Sequence, residues 1–459
     1  MQLTTNCSFL ENEILDVARL FPRRPESITH AFRYAQDGGI FYNDFVLDGE
    51  PFSFQDRGQV CNEIEWKRLE RRFAKLHLYE ILSRKYQTQM PWGALTGIRP
   101  TKLAYTELEN GRDFRPLFEK MQVTEENIRL VEEILQTQKG IYQKSSANVD
   151  LFVSIPFCPT KCAYCSFITA PIEKTKRYIP AYLYCLDKEL AAAKPSLKNL
   201  RSVYIGGGTP FAIDTPELER VLKAAAQAIE GREIEYTVEA GRPDVFSAEK
   251  LSLLKAYGVN RICINPQTFS DETLKKIGRK HTVADFYNAY ALSQKYGFTV
   301  NIDLIAGLAD ETPDEFSKGI EKALALGADN ITVHCLSLKA GAKLKEEMSY
   351  IENAAISQMI ASSRELLSKN GYKPYYMYRQ KYQAGNNENV GWTKENKACI
   401  YNIDVMEETT DNYAVGANAI SKRVFLGVGR IERMASAKDL PTYLEKIDEL
   451  IAKKRKFFE

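Results

Sequence analysis

IPFCPTKCAYCSF, running from Ile155 to Phe167, decides how this chain is read. Cys158, Cys162 and Cys165 stand in the pattern Cys-x3-Cys-x2-Cys within one short loop. Thiolates are the standard ligands of iron–sulfur clusters, and three of them can each take a corner iron of a 4Fe-4S cube while the fourth iron stays open. The other reading of such a loop is a structural zinc site. Zinc takes four ligands, typically from two separated Cys-x2-Cys pairs, and the sequence holds no second pair. Cys185 falls on an expected helix, and Cys263 and Cys335 fall in expected strands, where a free cysteine behaves as a small hydrophobe.

Working outward from the loop, six short apolar, β-branched runs alternate with amphipathic helices. They are LFVSIPF (from Leu151), SVYIGGG (from Ser202), IEYTVEA (from Ile234), VNRICIN (from Val259), TVNIDLIAGL (from Thr299) and ITVHCLSL (from Ile331). Near-continuous apolar strands suit a parallel sheet covered on both faces. Thr215-Pro216-Glu217 and Thr312-Pro313-Asp314-Glu315 each place a capping hydroxyl before a proline, and Gly231 and Gly327 stop those helices. Cys158, Gly206 to Thr209, Glu239, Gln267 and Asp303 all fall at or just after strand C-termini, where a β/α barrel gathers its active site. A doubly wound sheet would gather them at one switch point instead. The expected fold is therefore α/β. It has a partial (β/α) barrel over 146–370, an N-terminal α+β domain over 1–145, and a C-terminal region over 371–459 that completes or covers the active site.

The flanking regions read differently from the barrel. Trp66, Leu69, Phe73, Leu76 and Tyr79 form a helical stripe, with Lys67, Arg68, Arg71, Arg72 and Lys75 crowding the rest of that helix, which reads as a solvated face beside a small core. A Gly/Pro-punctuated loop, MPWGALTGIRPTKLAY (Met90 to Tyr105), follows, and KSSANVD (Lys144 to Asp150) is the expected linker into the barrel. Beyond Tyr372 the Tyr- and Asn-rich stretches read as strands and loops of an appended region.

Composition bounds the function classes. With 62 Lys plus Arg against 60 Asp plus Glu, no global field points to nucleic acid or anionic lipid, so an anionic partner must be met locally. No basic n-region precedes an apolar h-region at the start, and no apolar run has the roughly 20 residues of a membrane helix. Nine cysteines, odd in number and sparse outside one cluster, argue for a reducing cytoplasm over a secreted disulfide framework.

The order of motifs carries a resemblance. Tyr164 before the last cysteine of the loop is followed by GGGTP (Gly206 to Pro210), VEAGRPD (Val238 to Asp244), GVNRICINPQTF (Gly258 to Phe269), KKIGRKHT (Lys275 to Thr282) and NIDLIAGL (Asn301 to Leu308). This succession resembles the radical S-adenosylmethionine (SAM) family of oxygen-independent coproporphyrinogen III oxidases. WGALTGIRPTKLAY, ENVGW and YNIDVMEE look like its HemZ-type branch, the coproporphyrinogen dehydrogenases. The resemblance implies a barrel of the radical SAM type, with a 4Fe-4S cluster and SAM as cofactors. The cluster would sit on Cys158, Cys162 and Cys165, and SAM would be held by Gly206, Gly207, Gly208, Thr209, Glu239, Gln267, Arg279 and Asp303. It also implies oxidative decarboxylation of the propionates of a tetrapyrrole, coproporphyrinogen III, to vinyl groups, with a flavodoxin or ferredoxin as the low-potential electron donor.

Two other readings stay open: a radical reaction on haem during anaerobic haem breakdown, and haem carriage without catalysis. The sequence departs from the better-known branch in having Phe167 for a fourth cysteine, Phe152 for a tyrosine and Ser154 for a histidine. Arg99, Lys102, Arg242, Lys422, Arg430 and Arg433 are the candidate cations for substrate carboxylates. Of the four histidines, His334 is expected to face the barrel interior, either hydrogen-bonded or as a haem ligand, and His281 to pack beside Arg279.

Overall fold

The alternating runs from Leu151 onward are realised as an eleven-stranded sheet, whose strands are numbered here along the chain. The computed structural model describes residues 1–459 except 61, 97–98, 166–168, 309, 338–352 and 381–385. The six expected runs become β1 (Val149–Ile155), β2 (Leu200–Gly207), β3 (Glu235–Gly241), β4 (Arg261–Ile264), β5 (Thr299–Ala306) and β6 (Asn330–Cys335). They lie side by side in chain order, all parallel. Leu151, Val153, Ile205, Val238, Ile262 and Ile302 are fully buried, as strands covered on both faces must be.

The helices between them start and stop as their sequences dictate. Thr312 caps Pro313–Leu326 and exchanges hydrogen bonds with Glu315, while Gly327 at φ 67° ends it. For Thr215–Ile229 the cap is Asp214, one residue earlier than expected. Thr215 already occupies the first helical turn, and the Glu217 carboxylate accepts the Asp214 N–H at 2.9 Å. Glu230 takes the left-handed stop position just before Gly231.

The region after residue 371 continues the same sheet instead of standing apart. It supplies β7 (Lys373–Tyr378), β8 (Asn389–Thr393), β9 (Asp411–Val415), β10 (Ile420–Phe425) and β11 (Arg430–Ala435). The complete order is β7-β8-β6-β5-β4-β3-β2-β1-β9-β10-β11. β9 runs parallel to β1, and antiparallel strands finish both ends. The sheet ends on β7 and β11, which are not paired with each other, so the barrel is partial. Both edges carry the marks of edge strands, Pro374 in β7 and alternating charges in RIERMA of β11.

The strand that launches the cysteine loop is anchored from behind. The Ser154 hydroxyl donates to the Ala417 carbonyl at 2.8 Å, and the Tyr182 hydroxyl donates to the Ser154 carbonyl at 2.7 Å. Glu189, buried in Ile179–Ala193, accepts the Gly416 N–H at 2.8 Å and the Tyr443 hydroxyl at 2.6 Å, and pairs with buried Lys454 of the C-terminal helix. An ion pair this enclosed is tolerable because both Glu189 oxygens are hydrogen-bonded.

Chain contacts divide the protein into two units, Met1–Glu132 with Arg379–Asn387, and Glu133–Tyr378 with Glu388–Glu459. The sheet just described lies in the second. The first is α+β, with four strands in the order Gln2–Thr5, Ser27–Ala35, Ile40–Leu47 and Glu50–Arg57. Its long helix, Glu63–Tyr86, is less solvated than its charges suggest. Lys75 is buried and paired with Glu13 of Glu11–Ala18 at 3.2 Å, because that second helix covers the expected basic face. His30 bonds to Thr5 and Asn43, and His77 to Asp56 while stacking on Phe54, so both histidines are core residues of this unit.

Candidate active site

Cys158 ends a two-residue strand that pairs with Ala170–Pro171, and the described residues of the loop between them form no helix or strand. Its conformation is fixed by neighbours on two sides. From the β2 turn, the Gly208 N–H donates to Ile155 O at 2.8 Å and the Thr209 N–H to Phe157 O at 2.7 Å. The Thr209 hydroxyl lies 3.6 Å from the Cys158 sulfur. From the other side, the Ala163 N–H donates to Ile277 O at 3.0 Å. Thr160 donates to Gly278 O at 3.5 Å and accepts from Arg242 at 2.5 Å.

The three glycines are required by these protein neighbours. A Cβ on Gly206 would fall 2.7 Å from a Glu239 carboxylate oxygen, one on Gly207 2.8 Å from the Ser154 hydroxyl, and one on Gly208 2.6 Å from Phe157 O. The N–H groups of Gly208 and Thr209 are committed to the Ile155 and Phe157 carbonyls at the entry to the cysteine loop.

Burial pushes the Cys158 thiol up to about 11, and the nearby Cys165 and Cys162 add to it. The Cys158 thiol is thus protonated at neutral pH when no iron is bound, and binding to iron must displace that proton. Among the described residues no three of His, Cys, Asp and Glu converge on a single ion. A cubane asks instead for three thiolates at separate corners. Ser166 and Phe167, where the chain departs from the four-cysteine pattern, lie outside the described residues.

Beside the loop stand the polar residues read from sequence. Buried Arg279 donates to Asn265 O at 2.5 Å. Burial works against its charge, yet Tyr164 and Cys162 beside it hold its pKa above the ordinary value. Gln267, at φ 69°, is stitched onto β5: its N–H donates to Asp303 O and its carbonyl accepts from Ile305 N–H, both at 2.9 Å. That places Gln267 next to Asp303. Its side-chain Oε1 is buried with no partner, as are Asn265 Oδ1 and Arg279 Nε. Glu239 accepts the Tyr204 hydroxyl at 2.6 Å. Burial, reinforced by the nearby Asp303 carboxylate, raises the Glu239 pKa to about 7. Burial also pushes Asp303 up, but His334, Asn301 and Thr332 outweigh it and keep its pKa below the ordinary value.

Two unpaired acceptors, an unpaired guanidinium N–H and two unlike carboxylates are what a ligand with an ammonium, a carboxylate and a ribose diol would need. The donor set also suits a cluster with three protein ligands. The residues present therefore fit both a 4Fe-4S cluster and SAM.

Several positions do work the sequence did not reveal. Arg242, expected to meet substrate carboxylates, is buried in a bidentate fork with Asp244 at 3.0 and 2.7 Å and braces the loop through Thr160. An acidic residue two positions on was the available signal. Lys422 lies 3.4 Å and Arg433 2.9 Å from Glu408, and Arg430 lies 3.3 Å from Glu432. Arg99 and Lys102 belong to the other unit, at the start of Pro100–Glu109. Phe152 stacks with Tyr204 and Tyr401, filling the barrel below Glu239. His281 is buried with both ring nitrogens unpartnered, its pKa pushed down to about 4 by burial and then Arg279. His334 bonds to Tyr378 at 3.0 Å through Nδ1 and faces Asp303 at 3.6 Å through Nε2, the hydrogen-bonded inward setting of the two expected for it.

Fold and site together define a radical SAM protein. The family model described as the radical SAM superfamily matches residues 152–323, the stretch from Phe152 into the helix Pro313–Leu326 after β5. The chain is 36% identical over 388 residues to the oxygen-independent coproporphyrinogen-III oxidase-like protein HemZ of Bacillus subtilis, covering 80% of this chain and 77% of that one. It is 34% identical over 234 residues to the heme chaperone HemW of Lactococcus lactis, covering 49% of this chain and 60% of that one. Among solved structures, coproporphyrinogen III oxidase (HemN) from Escherichia coli matches with a TM-score of 0.54 at 20% identity, over 69% of this chain and 72% of that one. The chain belongs to the radical SAM superfamily and, within it, to the family of oxygen-independent coproporphyrinogen-III oxidase-like proteins that includes HemZ. The cofactors of this family are a 4Fe-4S cluster and SAM. Among the described residues no helix is long and apolar enough to cross a membrane.

Two consequences are measurable. In Gly208→Ala the new Cβ meets backbone atoms that cannot yield, so the loop must move. After anaerobic reconstitution this variant should bind far less iron than wild type, with an unchanged circular dichroism spectrum. A raised carboxyl pKa means that the native Glu239 holds its proton where the unfolded chain has lost it. Its contribution to stability is therefore complete below about 4.5 and lost as pH rises through about 7. Glu239→Gln keeps the neutral form at every pH, so its melting temperature relative to wild type should be higher at about pH 8 than at about pH 5.5.

Proposed function

We propose that this protein is an anaerobic enzyme that oxidatively decarboxylates propionate side chains of coproporphyrinogen III to vinyl groups, giving protoporphyrinogen IX. The similarity to HemZ across four-fifths of the chain carries this reading, because the named relative is coproporphyrinogen-III oxidase-like. The site supports it with thiols and polar groups suited to both cofactors.

In this reading Cys158, Cys162 and Cys165 hold the cluster, and Thr209 and Arg279 shape its surroundings. Arg279 takes the SAM carboxylate, Gln267 the ammonium, and Asp303 the ribose hydroxyls. Gly206, Gly207 and Gly208 let Glu239 and the loop close around the ligand. Bound together, the two cofactors supply hydrogen-atom abstraction at an unactivated carbon. For each propionate, –CH2–CH2–COO⁻ gives –CH=CH2 and CO2 with loss of one hydrogen atom and one electron. The hydrogen atom ends on 5′-deoxyadenosine, and the electron passes to a one-electron acceptor outside the chain. A flavodoxin or ferredoxin is the proposed reductant of the cluster. The protein's part is to exclude water and fix the approach: Phe152, Tyr204 and Tyr401 fill the barrel beneath the carboxylates, which keeps a macrocycle above that layer.

The similarity to HemW over half the chain favours a second reading, stoichiometric haem carriage. One experiment separates them. Cluster-loaded protein is incubated without oxygen with SAM, a low-potential reductant and coproporphyrinogen III, and products are followed by mass spectrometry. Protoporphyrinogen IX with 5′-deoxyadenosine, both lost in Cys162→Ala, is the expected result. An unchanged tetrapyrrole with substrate-independent SAM cleavage would overturn the decarboxylase reading, and tight binding of haem in the same preparation would favour carriage.

A further inference from the structure

Asp303 sits in an interior already crowded with acid. Glu239 on β3 and the Cys263 thiol on β4 face the same space, with the hydroxyls of Tyr204 on β2 and Tyr376 on β7 around them. A carboxylate there must stay ionised to accept two ribose hydroxyls, and it must also be held in one orientation. One oxygen is fixed by its own strand, where Asn301 Nδ2 donates to Asp303 Oδ1 at 2.7 Å and Thr332 in turn donates to Asn301 Oδ1 at 3.0 Å. The other oxygen, Oδ2, faces His334 Nε2 at 3.6 Å, and His334 Nδ1 meets the Tyr378 hydroxyl at 3.0 Å. Tyr378, His334 and Asp303 thus form a line from β7 through β6 to β5.

We infer that His334 is a positioning residue for Asp303, and that Tyr378 sets the imidazole tautomer that makes it one. The inference rests on the reading that Asp303 takes the ribose hydroxyls of SAM. When the Tyr378 hydroxyl donates to Nδ1, the ring proton must lie on Nε2, where it points at Asp303 Oδ2. The opposite tautomer would set a lone pair against a carboxylate. His334 does for Asp303 what outer partners do for metal-ligating side chains: it fixes the rotamer and keeps the charge on the face the ligand meets.

The test is SAM binding by equilibrium dialysis to the cluster-loaded protein, with SAM compared with 2′-deoxy-SAM. Iron content and circular dichroism are checked first for each variant. His334→Ala should weaken SAM binding about tenfold, the effect usual for an outer-shell partner, while weakening 2′-deoxy-SAM much less. His334→Gln, whose amide can still donate to Asp303, should recover most of the loss, and Tyr378→Phe should fall between. Equal weakening for both ligands would mean that His334 supports only the structure and would overturn the inference. Unchanged SAM binding in His334→Ala, with a loss in Asp303→Asn, would overturn it while sparing the reading of Asp303. Unchanged binding in Asp303→Asn would overturn both.

Discussion

Three thiols must be presented in one place by a segment whose described residues beyond Cys158 form no helix or strand, and this is possible only because neighbouring elements hold that segment. Ordering each loop residue costs about 1–2 kcal/mol of backbone entropy, more than a single hydrogen bond returns. The loop is therefore gripped from both sides. Gly208 and Thr209 hold its entry, and Ile277, Gly278 and Arg242 hold its middle. The glycine run is the price of that grip. It lets β2 approach the loop backbone while leaving room for Glu239, so one steric requirement settles both the cysteine loop and the setting of Glu239.

The electrostatics of the interior follow from this packing. Glu239 and Asp303 are neighbours, and their environments push them apart. Glu239, enclosed beside another carboxylate, titrates near neutrality. Asp303, with Asn301 and His334 on its two oxygens, is held as an anion. Below them the stacked rings of Phe152, Tyr204 and Tyr401 close the barrel. The polar groups thus stand above an apolar layer, at the strand C-termini where a β/α barrel places its chemistry.

What could be read from sequence was what lies close together along the chain. The six strands were legible as apolar runs, the cysteine motif as a spacing, and the Thr312 cap as a four-residue pattern. What escaped depends on distant partners. β7 to β11 looked like an appended region because strand pairing has no local period, yet β9 lies directly against β1. The basic helix looked solvated because the helix that covers Lys75 lies far back in the chain. His334 was legible as inward-facing, but its link to Tyr378 spans 44 residues. Arg242 is the instructive case, since Asp244 stood two residues away and still a substrate carboxylate was the expected partner.

The central claim is that the three cysteines hold a cluster with one iron left for SAM. Electron paramagnetic resonance of the reduced, reconstituted protein tests it most directly, read before and after SAM is added and beside an iron determination. The account predicts about four irons per chain and a reduced-cluster signal whose g-values shift when SAM binds. A signal that ignores SAM, or one zinc per chain in place of iron, would contradict it.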